Sequence, residues 1–146
     1  MQQERPDTPA SPTTVLVADD DEDMRALVAT VLRADGYVVD EASDGAELLR
    51  RLEEAIDDPG SGPDVVVADI MMPKLTGLGV LDALRRAKLH FPVLLMTVLE
   101  DESIHLVARR LGALGVLCKP FDMDDLRTAV VNACLVYRRD QSRPPL

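Results

Sequence analysis

The stretch VLVADDDEDMR at residues 15–25 decides the fold, because four apolar residues run directly into five consecutive acids. An apolar run of four is too short for a helix and suits a strand that is covered on both faces. Carboxylates crowded at the end of such a strand repel one another unless something compensates their charge. This stretch therefore predicts a buried strand that delivers acids to a binding site.

The same pattern of strand and helix recurs about five times along the chain. Further short apolar runs occur at 37–39, 64–68, 93–96 and 115–118. Amphipathic stretches between and after them predict helices at 23–34, 78–87, 102–111 and 122–137. A further helix is predicted from Asp44–Gly45 onward, and the residues on its apolar face are Leu48, Leu49, Leu52 and Ile56. Strands that alternate with helices predict an α/β fold with a parallel sheet and right-handed crossovers.

The overall composition bounds the class of protein. With 146 residues, 47% hydrophobic and 29% charged, the chain fits one globular domain. We expect this domain at 14–138, between flexible tails at 1–13 and 139–146. The net charge of -10 argues against direct nucleic-acid binding, which needs a basic face. The absence of a signal peptide and of a long apolar run predicts a cytoplasmic protein without a membrane partner, and its two cysteines are expected to be free thiols.

Polar side chains follow four of the predicted strands. Asp19 and Asp20 come after the first, Asp69 after the third, Thr97 after the fourth and Lys119 after the fifth. The carboxyl ends of parallel strands form the site in open α/β sheets, so these side chains should converge. Clustered carboxylates suit Mg²⁺, and the lack of histidine among them argues against zinc. Such a set is typical of phosphoryl transfer, in which a carboxylate can become an aspartyl phosphate.

Four segments, in this order, resemble the receiver domain of bacterial two-component response regulators, of the chemotaxis-regulator type. They are residues 15–25, DVVVADIMMPKLTG at 64–77, PVLLMT at 92–97 and GALGVLCKPF at 112–121. The resemblance covers about residues 14–138. It implies a flavodoxin-like (βα)5 three-layer sandwich with a five-stranded parallel sheet in the order 2-1-3-4-5.

The resemblance also implies a function. Asp69 matches the aspartate that accepts a phosphoryl group from a sensor histidine kinase or a phosphotransfer protein. Thr97 matches the switch hydroxyl, and Lys119 matches the lysine that binds the phosphate. Such a domain is not a classical enzyme, because it catalyses only its own phosphorylation and dephosphorylation. Its output is a change in contacts with a downstream protein or an output domain.

Other positions match the metal site and the surrounding loops of this family. Asp20 matches the acid that holds Mg²⁺ directly, and Asp19 matches its partner, which often acts through water. Met71 matches the position whose backbone carbonyl binds the metal. The remaining matches are structural: a cis bond before Pro120, and Pro73 and Gly77 in the loop after Asp69. Asp21, Glu22 and Asp23 have a simpler interpretation as residues that start the first helix.

The sequence departs from the family at the switch. Val98 stands where Ala or Gly is usual, so its branched side chain is expected to narrow access to the pocket. Val116 stands where a rotating Tyr or Phe is usual, and valine cannot swing between buried and exposed positions as a ring does.

Met71 and Leu99 match positions that flank the path of the hydrolytic water. Both are apolar here, which predicts a long-lived phosphorylated state.

Two alternative functions are compatible with parts of this pattern. A pseudo-receiver would share the fold and act as a binding module independent of phosphorylation, which Val98 and Val116 favour. A haloacid-dehalogenase-like phosphatase would use Asp19 and Asp21, but Asp124 and Asp125 follow Lys119 with no strand between and cannot reach the same edge.

The chain is either a single-domain regulator or a fragment of a longer one. The face of helix four, strand five and helix five is the expected docking or homodimer surface, with candidates Ile104, Leu106 and Val107.

Overall fold

The structure is a computed structural model that describes residues 12–58, 60 and 62–142, with side chains as far as residue 136. Within this part of the chain, no helix is both long and apolar enough to pass through a bilayer. The predicted tails lie mainly outside the described residues. The last helix nevertheless continues to Ser142, beyond the boundary expected at 138.

Five strands and five helices alternate along the described residues. All strand pairs are parallel, and the sheet order is β2-β1-β3-β4-β5, which confirms the flavodoxin-like prediction. The elements are β1 Thr14–Ala18, α1 Glu22–Ala34, β2 Val38–Ala42, α2 Gly45–Glu54, β3 Val65–Asp69, α3 Gly77–Arg86, β4 Val93–Thr97, α4 Glu102–Arg110, β5 Gly115–Cys118 and α5 Met123–Ser142.

The helices begin where short polar side chains cap them. Asp44 accepts a hydrogen bond from the Glu47 amide at the start of α2, and Thr76 accepts one from the Gly79 amide at the start of α3. These caps follow directly from the sequence, because aspartate and threonine satisfy amides that the first helical turn leaves unpaired. The caps of α2 and α3 thus lie in the loops that follow the carboxyl ends of β2 and β3.

The core forms one layer on each face of the sheet. Leu16, Val66 and Leu95 belong to the layer beneath α2, α3 and α4, whereas Val15 and Val67 belong to the layer beneath α1 and α5. Successive strand residues point to opposite faces, so a strand covered on both sides must be apolar throughout. This arrangement is the three-layer sandwich, and it leaves the strand ends free to build a site.

The structure corrects several boundaries. β2 runs over Val38–Ala42 rather than 37–39, because Asp40 and Glu41 are tolerated on a half-exposed edge strand. α2 ends at Glu54, so Ile56 lies beyond it and is 49% exposed. The prediction that Ile56 belongs to the buried face of this helix is wrong. Within the described residues, neither Cys118 nor Cys134 takes part in a disulfide, and both are half-buried.

Candidate functional site

The carboxyl edge of the sheet brings the predicted polar side chains together. Asp19 and Asp20 follow β1, while Asp69 and Thr97 are the last residues of β3 and β4. Lys119 follows β5, and its amide donates to the Thr97 carbonyl over 2.7 Å. Three adjacent parallel strands and the edge strand β5 thus deliver acids, a hydroxyl and an ammonium group to one place.

Three carboxylates form a compact cluster. One oxygen from each of Asp19, Asp20 and Asp69 lies within 4.8 Å of the others. Asp19 is fully buried and Asp69 is 7% exposed, whereas Asp20 faces solvent. Mg²⁺ prefers hard oxygen ligands, usually one or two carboxylates together with water and phosphate oxygens, and this cluster can supply such carboxylates. The donor set therefore fits a magnesium ion.

Lys119 connects two of these acids. Its ammonium group lies 2.9 Å from Oδ2 of Asp19 and 2.9 Å from Oδ2 of Asp69. Burial alone would lower the pKa of Lys119, but the hydrogen bonds to Asp19 and Asp69 outweigh burial and raise this pKa. Lys119 is consequently a fixed positive charge beside both carboxylates.

Asp69 is held in a defined orientation. Burial raises the pKa of Asp69, and its hydrogen bonds from Lys119 and from the Met71 amide oppose this effect. The Met71 amide donates to Oδ1 over 3.0 Å, while Lys119 occupies Oδ2. Each carboxylate oxygen thus has a donor, and the group is both oriented and only slightly exposed.

Thr97 lies beside this cluster and is fully buried. Its Oγ1 accepts a hydrogen bond from the Leu99 amide over 3.0 Å. A hydroxyl that accepts one hydrogen bond still carries its own proton for donation. The side chain can therefore donate to an anionic oxygen without losing its anchor to the backbone.

Apolar side chains stand around the site. Met71 is 54% exposed and Val98 is 63% exposed, so both lie at the rim rather than in the core. Val116 packs partly buried against the core layer beneath α4. The bond between Lys119 and Pro120 is cis, as the resemblance implies.

Sequence reasoning assigned no role to Arg25, which the structure places next to the acids. Its Nη1 donates to the backbone carbonyl of Asp19 over 2.9 Å. One feature of the sequence could have indicated a role: Arg25 is a cation that follows shortly after five consecutive acids, near the start of α1. Sequence alone could not show that this side chain turns back toward the strand end.

Close glycine packing also shapes the site. A Cβ on Gly77 would lie 2.6 Å from the Asp69 carbonyl oxygen, so α3 approaches the end of β3 at this point. A Cβ on Gly45 would collide with the Leu75 carbonyl oxygen. The loop between β3 and α3 is therefore fixed by two contacts that only glycine allows.

Comparison with known proteins agrees with this architecture. The response regulator receiver domain family matches residues 15–131. The chain is 37% identical over 131 residues to the alkaline phosphatase synthesis transcriptional regulatory protein PhoP of Bacillus subtilis, covering 90% of this chain and 51% of that protein. It is 38% identical to the transcriptional regulatory protein PrrA of Mycobacterium leprae, covering 90% of this chain and 54% of PrrA. The chain thus spans about half the length of these relatives.

Solved structures give the same result. The receiver domain of the Francisella response regulator 1452 has a TM-score of 0.74 and 30% identity, over 88% of this chain and 98% of that one. A response regulator receiver domain protein from Clostridium thermocellum has a TM-score of 0.75 and 31% identity, over 86% and 97% of the two chains. This chain belongs to the response regulator receiver domain family.

Family membership changes one sequence-based expectation. The acidic composition argued against nucleic-acid contact, but PhoP and PrrA are transcriptional regulators, and this chain spans only about half of each. The charge of a receiver domain does not bear on what an attached output domain would bind. The earlier exclusion of nucleic acid therefore does not extend beyond the receiver itself.

Proposed function

We propose that this receiver accepts a phosphoryl group on Asp69 from a phosphohistidine of a sensor kinase or phosphotransfer protein. The observation that carries the proposal is the position of Asp69, whose buried carboxylate lies 2.9 Å from the Lys119 ammonium group and has an oxygen within 4.8 Å of oxygens from two further acids. A carboxylate in this setting is held in one orientation by its hydrogen bonds and has an ammonium group beside it, which favours attack on a phosphoryl group. The family match to residues 15–131 supports the same role.

The transfer needs little covalent chemistry from the protein. An oxygen of Asp69 forms a bond to phosphorus while the bond between phosphorus and the imidazole nitrogen breaks, and the imidazole takes up a proton as it leaves. Lys119 already lies 2.9 Å from Asp69 Oδ2 and can bind a phosphoryl oxygen. The buried hydroxyl of Thr97 donates to another oxygen of the group.

A divalent cation completes this proposal. Asp19, Asp20 and Asp69, with the backbone carbonyl of Met71, would hold Mg²⁺, which supplies charge neutralisation at the phosphoryl oxygens when bound. Within the described residues, Lys119 is the cation that contacts the two buried acids. The phosphorylation of Asp69 should therefore depend on Mg²⁺, because one ammonium group cannot balance the negative charge of three carboxylates and an incoming phosphate.

The output of the switch is a change in protein contacts. Of the three side chains predicted for the face of α4, β5 and α5, Leu106 is 50% exposed and Val107 is 43% exposed. Ile104 packs against the core instead. We place the docking or homodimer contact at Leu106 and Val107, with either a separate target protein or an output domain as the partner.

One observation favours a second candidate, a pseudo-receiver that binds its target without phosphorylation. Val116 occupies the switch position, and its side chain packs partly buried against the core. A valine in this environment has no second position comparable to that of a rotating ring. The two candidates differ in one measurable property, which is whether Asp69 becomes modified.

The deciding experiment is intact mass after incubation with Mg²⁺ and acetyl phosphate. We expect a gain of one phosphate in the wild type and no gain in Asp69→Asn. A wild type that binds Mg²⁺ but gains no mass would next be tested with a phosphorylated histidine kinase or phosphotransfer protein. Failure with the protein donors as well would establish the pseudo-receiver.

A further inference from the structure

Arg25 connects the acidic site to the edge of the sheet. Its Nη1 donates to the Asp19 carbonyl over 2.9 Å, and its Nε donates to Glu41 Oε1 over 3.1 Å. The Arg25 side chain is only 18% exposed. One guanidinium group thus binds two acceptors, one on the loop after β1 and one on β2.

The Asp19 carbonyl belongs to the peptide group that leads into Asp20. A hydrogen bond to this oxygen therefore limits rotation of the peptide plane from which the Asp20 side chain projects. Within the described residues, the Asp20 carboxylate has neither a hydrogen bond nor an ion pair of its own, in contrast to Asp19 and Asp69. Its position depends on the backbone that Arg25 holds.

Glu41 is itself fixed from the other side. Arg33 lies 3.3 Å from Glu41 Oε2 and also donates to the Val39 carbonyl over 2.8 Å. Glu41 accordingly lies between two arginines, of which only Arg25 contacts the acidic site. This makes Arg33 a matched control, because it shares the same carboxylate but has no contact with Asp19.

We propose that Arg25 is a positioning residue for the metal site, which holds the Asp19–Asp20 peptide so that Asp20 is oriented to bind Mg²⁺. The inference rests on the proposed function, since it assumes that Mg²⁺ binds at this cluster. Arg25 would then affect metal affinity, although it is neither one of the clustered carboxylates nor one of the other site residues, Thr97 and Lys119.

Two effects of Arg25 on Mg²⁺ oppose each other, and this makes the proposal testable. As a nearby positive charge, Arg25 repels a cation, so its removal should tighten Mg²⁺ binding if charge alone matters. As a positioning residue it orders a ligand, so its removal should weaken binding. Partners that orient metal ligands typically change affinity by about 10- to 100-fold.

The experiment is calorimetric titration of Mg²⁺ into the full chain at pH 7, with folding checked by circular dichroism. For Arg25→Met we expect the Mg²⁺ Kd to rise about tenfold. Arg25→Lys keeps the charge but cannot bind both acceptors in the same way, so its Kd should rise about threefold or more. Arg33→Met should stay within about twofold of the wild type, because it leaves the Asp19 contact in place.

A kinetic measurement separates positioning from a general loss of structure. The Mg²⁺ concentration that gives half the maximal phosphorylation rate should rise in Arg25→Met as the Kd does. The rate at saturating Mg²⁺ should remain within about twofold, because Arg25 does not contact Asp69. If Arg25→Met is poorly folded, Glu41→Gln, which weakens the anchor of Arg25 without removing it, should raise the Kd about twofold to threefold.

The outcomes distinguish the two proposals. An unchanged or lower Kd in Arg25→Met and Arg25→Lys, with the wild type binding Mg²⁺, would overturn the role of Arg25 alone. An equal rise in Arg33→Met would also overturn it, because the effect would then be a general one. A wild type that binds no Mg²⁺ would overturn the metal site of the proposed function, and this inference with it.

Discussion

The ammonium nitrogen of Lys119 lies 2.9 Å from Asp19 Oδ2 and 2.9 Å from Asp69 Oδ2, so one cation serves two buried acids. The two acids come from strands that are adjacent in the sheet, and Lys119 arrives from the far edge. The Lys119 side chain is 11% exposed, which limits how far water can screen these contacts. In the part of the chain that the structure describes, both acids therefore share Lys119 as their cationic partner.

Replacement of Lys119 tests this dependence. Lys119→Met should lower the free energy of unfolding of the metal-free protein by about 3 kcal/mol at pH 7, because two buried carboxylates lose the one ammonium partner that they have among the described residues. Mg²⁺ should then stabilise the variant more than the wild type. Urea denaturation with and without Mg²⁺ measures both effects. Arg86→Met, which breaks an exposed pair with Asp82, is the control and should change stability by less than about 1 kcal/mol. Equal stability of Lys119→Met and the wild type would show that the acids do not need this cation.

Gly77 tests the packing that places Asp69. A Cβ at this position would lie 2.6 Å from the Asp69 carbonyl oxygen, which is backbone and cannot move without the strand end. Gly77→Ala should destabilise the protein by about 2 kcal/mol and slow phosphorylation of Asp69. Chemical denaturation and intact mass against time are the measurements.

Gly79, on the same helix, provides the matched control for Gly77. A Cβ there would meet Cδ1 of Leu75 at 2.7 Å, and this flexible side chain can move away. Since alanine favours a helix over glycine, Gly79→Ala should lie within about 1 kcal/mol of the wild type. Similar losses in both variants would mean that the contact with Asp69 has no special importance.

Glu47, in the first turn of α2, should make the stability of the protein depend on pH. The hydrogen bond from the Ser43 amide holds the pKa of Glu47 below its ordinary value, with a further contribution from the charge of Arg51. An acid with a lowered folded-state pKa stabilises the protein above its unfolded pKa, and this contribution is lost as the pH falls through the folded value. The difference in urea midpoint between wild type and Glu47→Gln should therefore shrink between about pH 5 and pH 3. A difference that stays constant over this range would contradict the assignment.

The apolar surroundings of Asp69 predict a long-lived phosphorylated state. Met71 is 54% exposed and Leu99 is half-buried, and neither side chain can orient a water by hydrogen bonding. We expect the phosphate to persist for minutes or longer after the donor is removed, and Met71→Asn to shorten its lifetime about tenfold. Intact mass at timed intervals measures the loss. Decay of the wild-type phosphate within seconds would disprove this prediction, and Met71→Leu is the control that keeps the apolar character.

The local pattern determined the elements of this protein and the edge at which its site forms. The apolar runs around Val15, Val66 and Leu95 had to be strands covered on both faces, since their residues alternate between two core layers. Asp44 marked the start of α2, because an aspartate cap satisfies an amide within a single turn. Parallel strands then place Asp19 and Asp69 at one edge whatever the details of packing.

Tertiary structure alone decided the contacts between groups far apart in the chain. Lys119 reaches Asp19 across 100 positions, and Arg25 reaches Glu41 on the neighbouring strand. Ile56 has the helical spacing of a core residue, yet it is exposed because α2 ends before it. Periodicity reports which face a residue would occupy in a regular element. It carries no information about where that element ends or which distant partner a long side chain meets, because both depend on free energies of packing between elements.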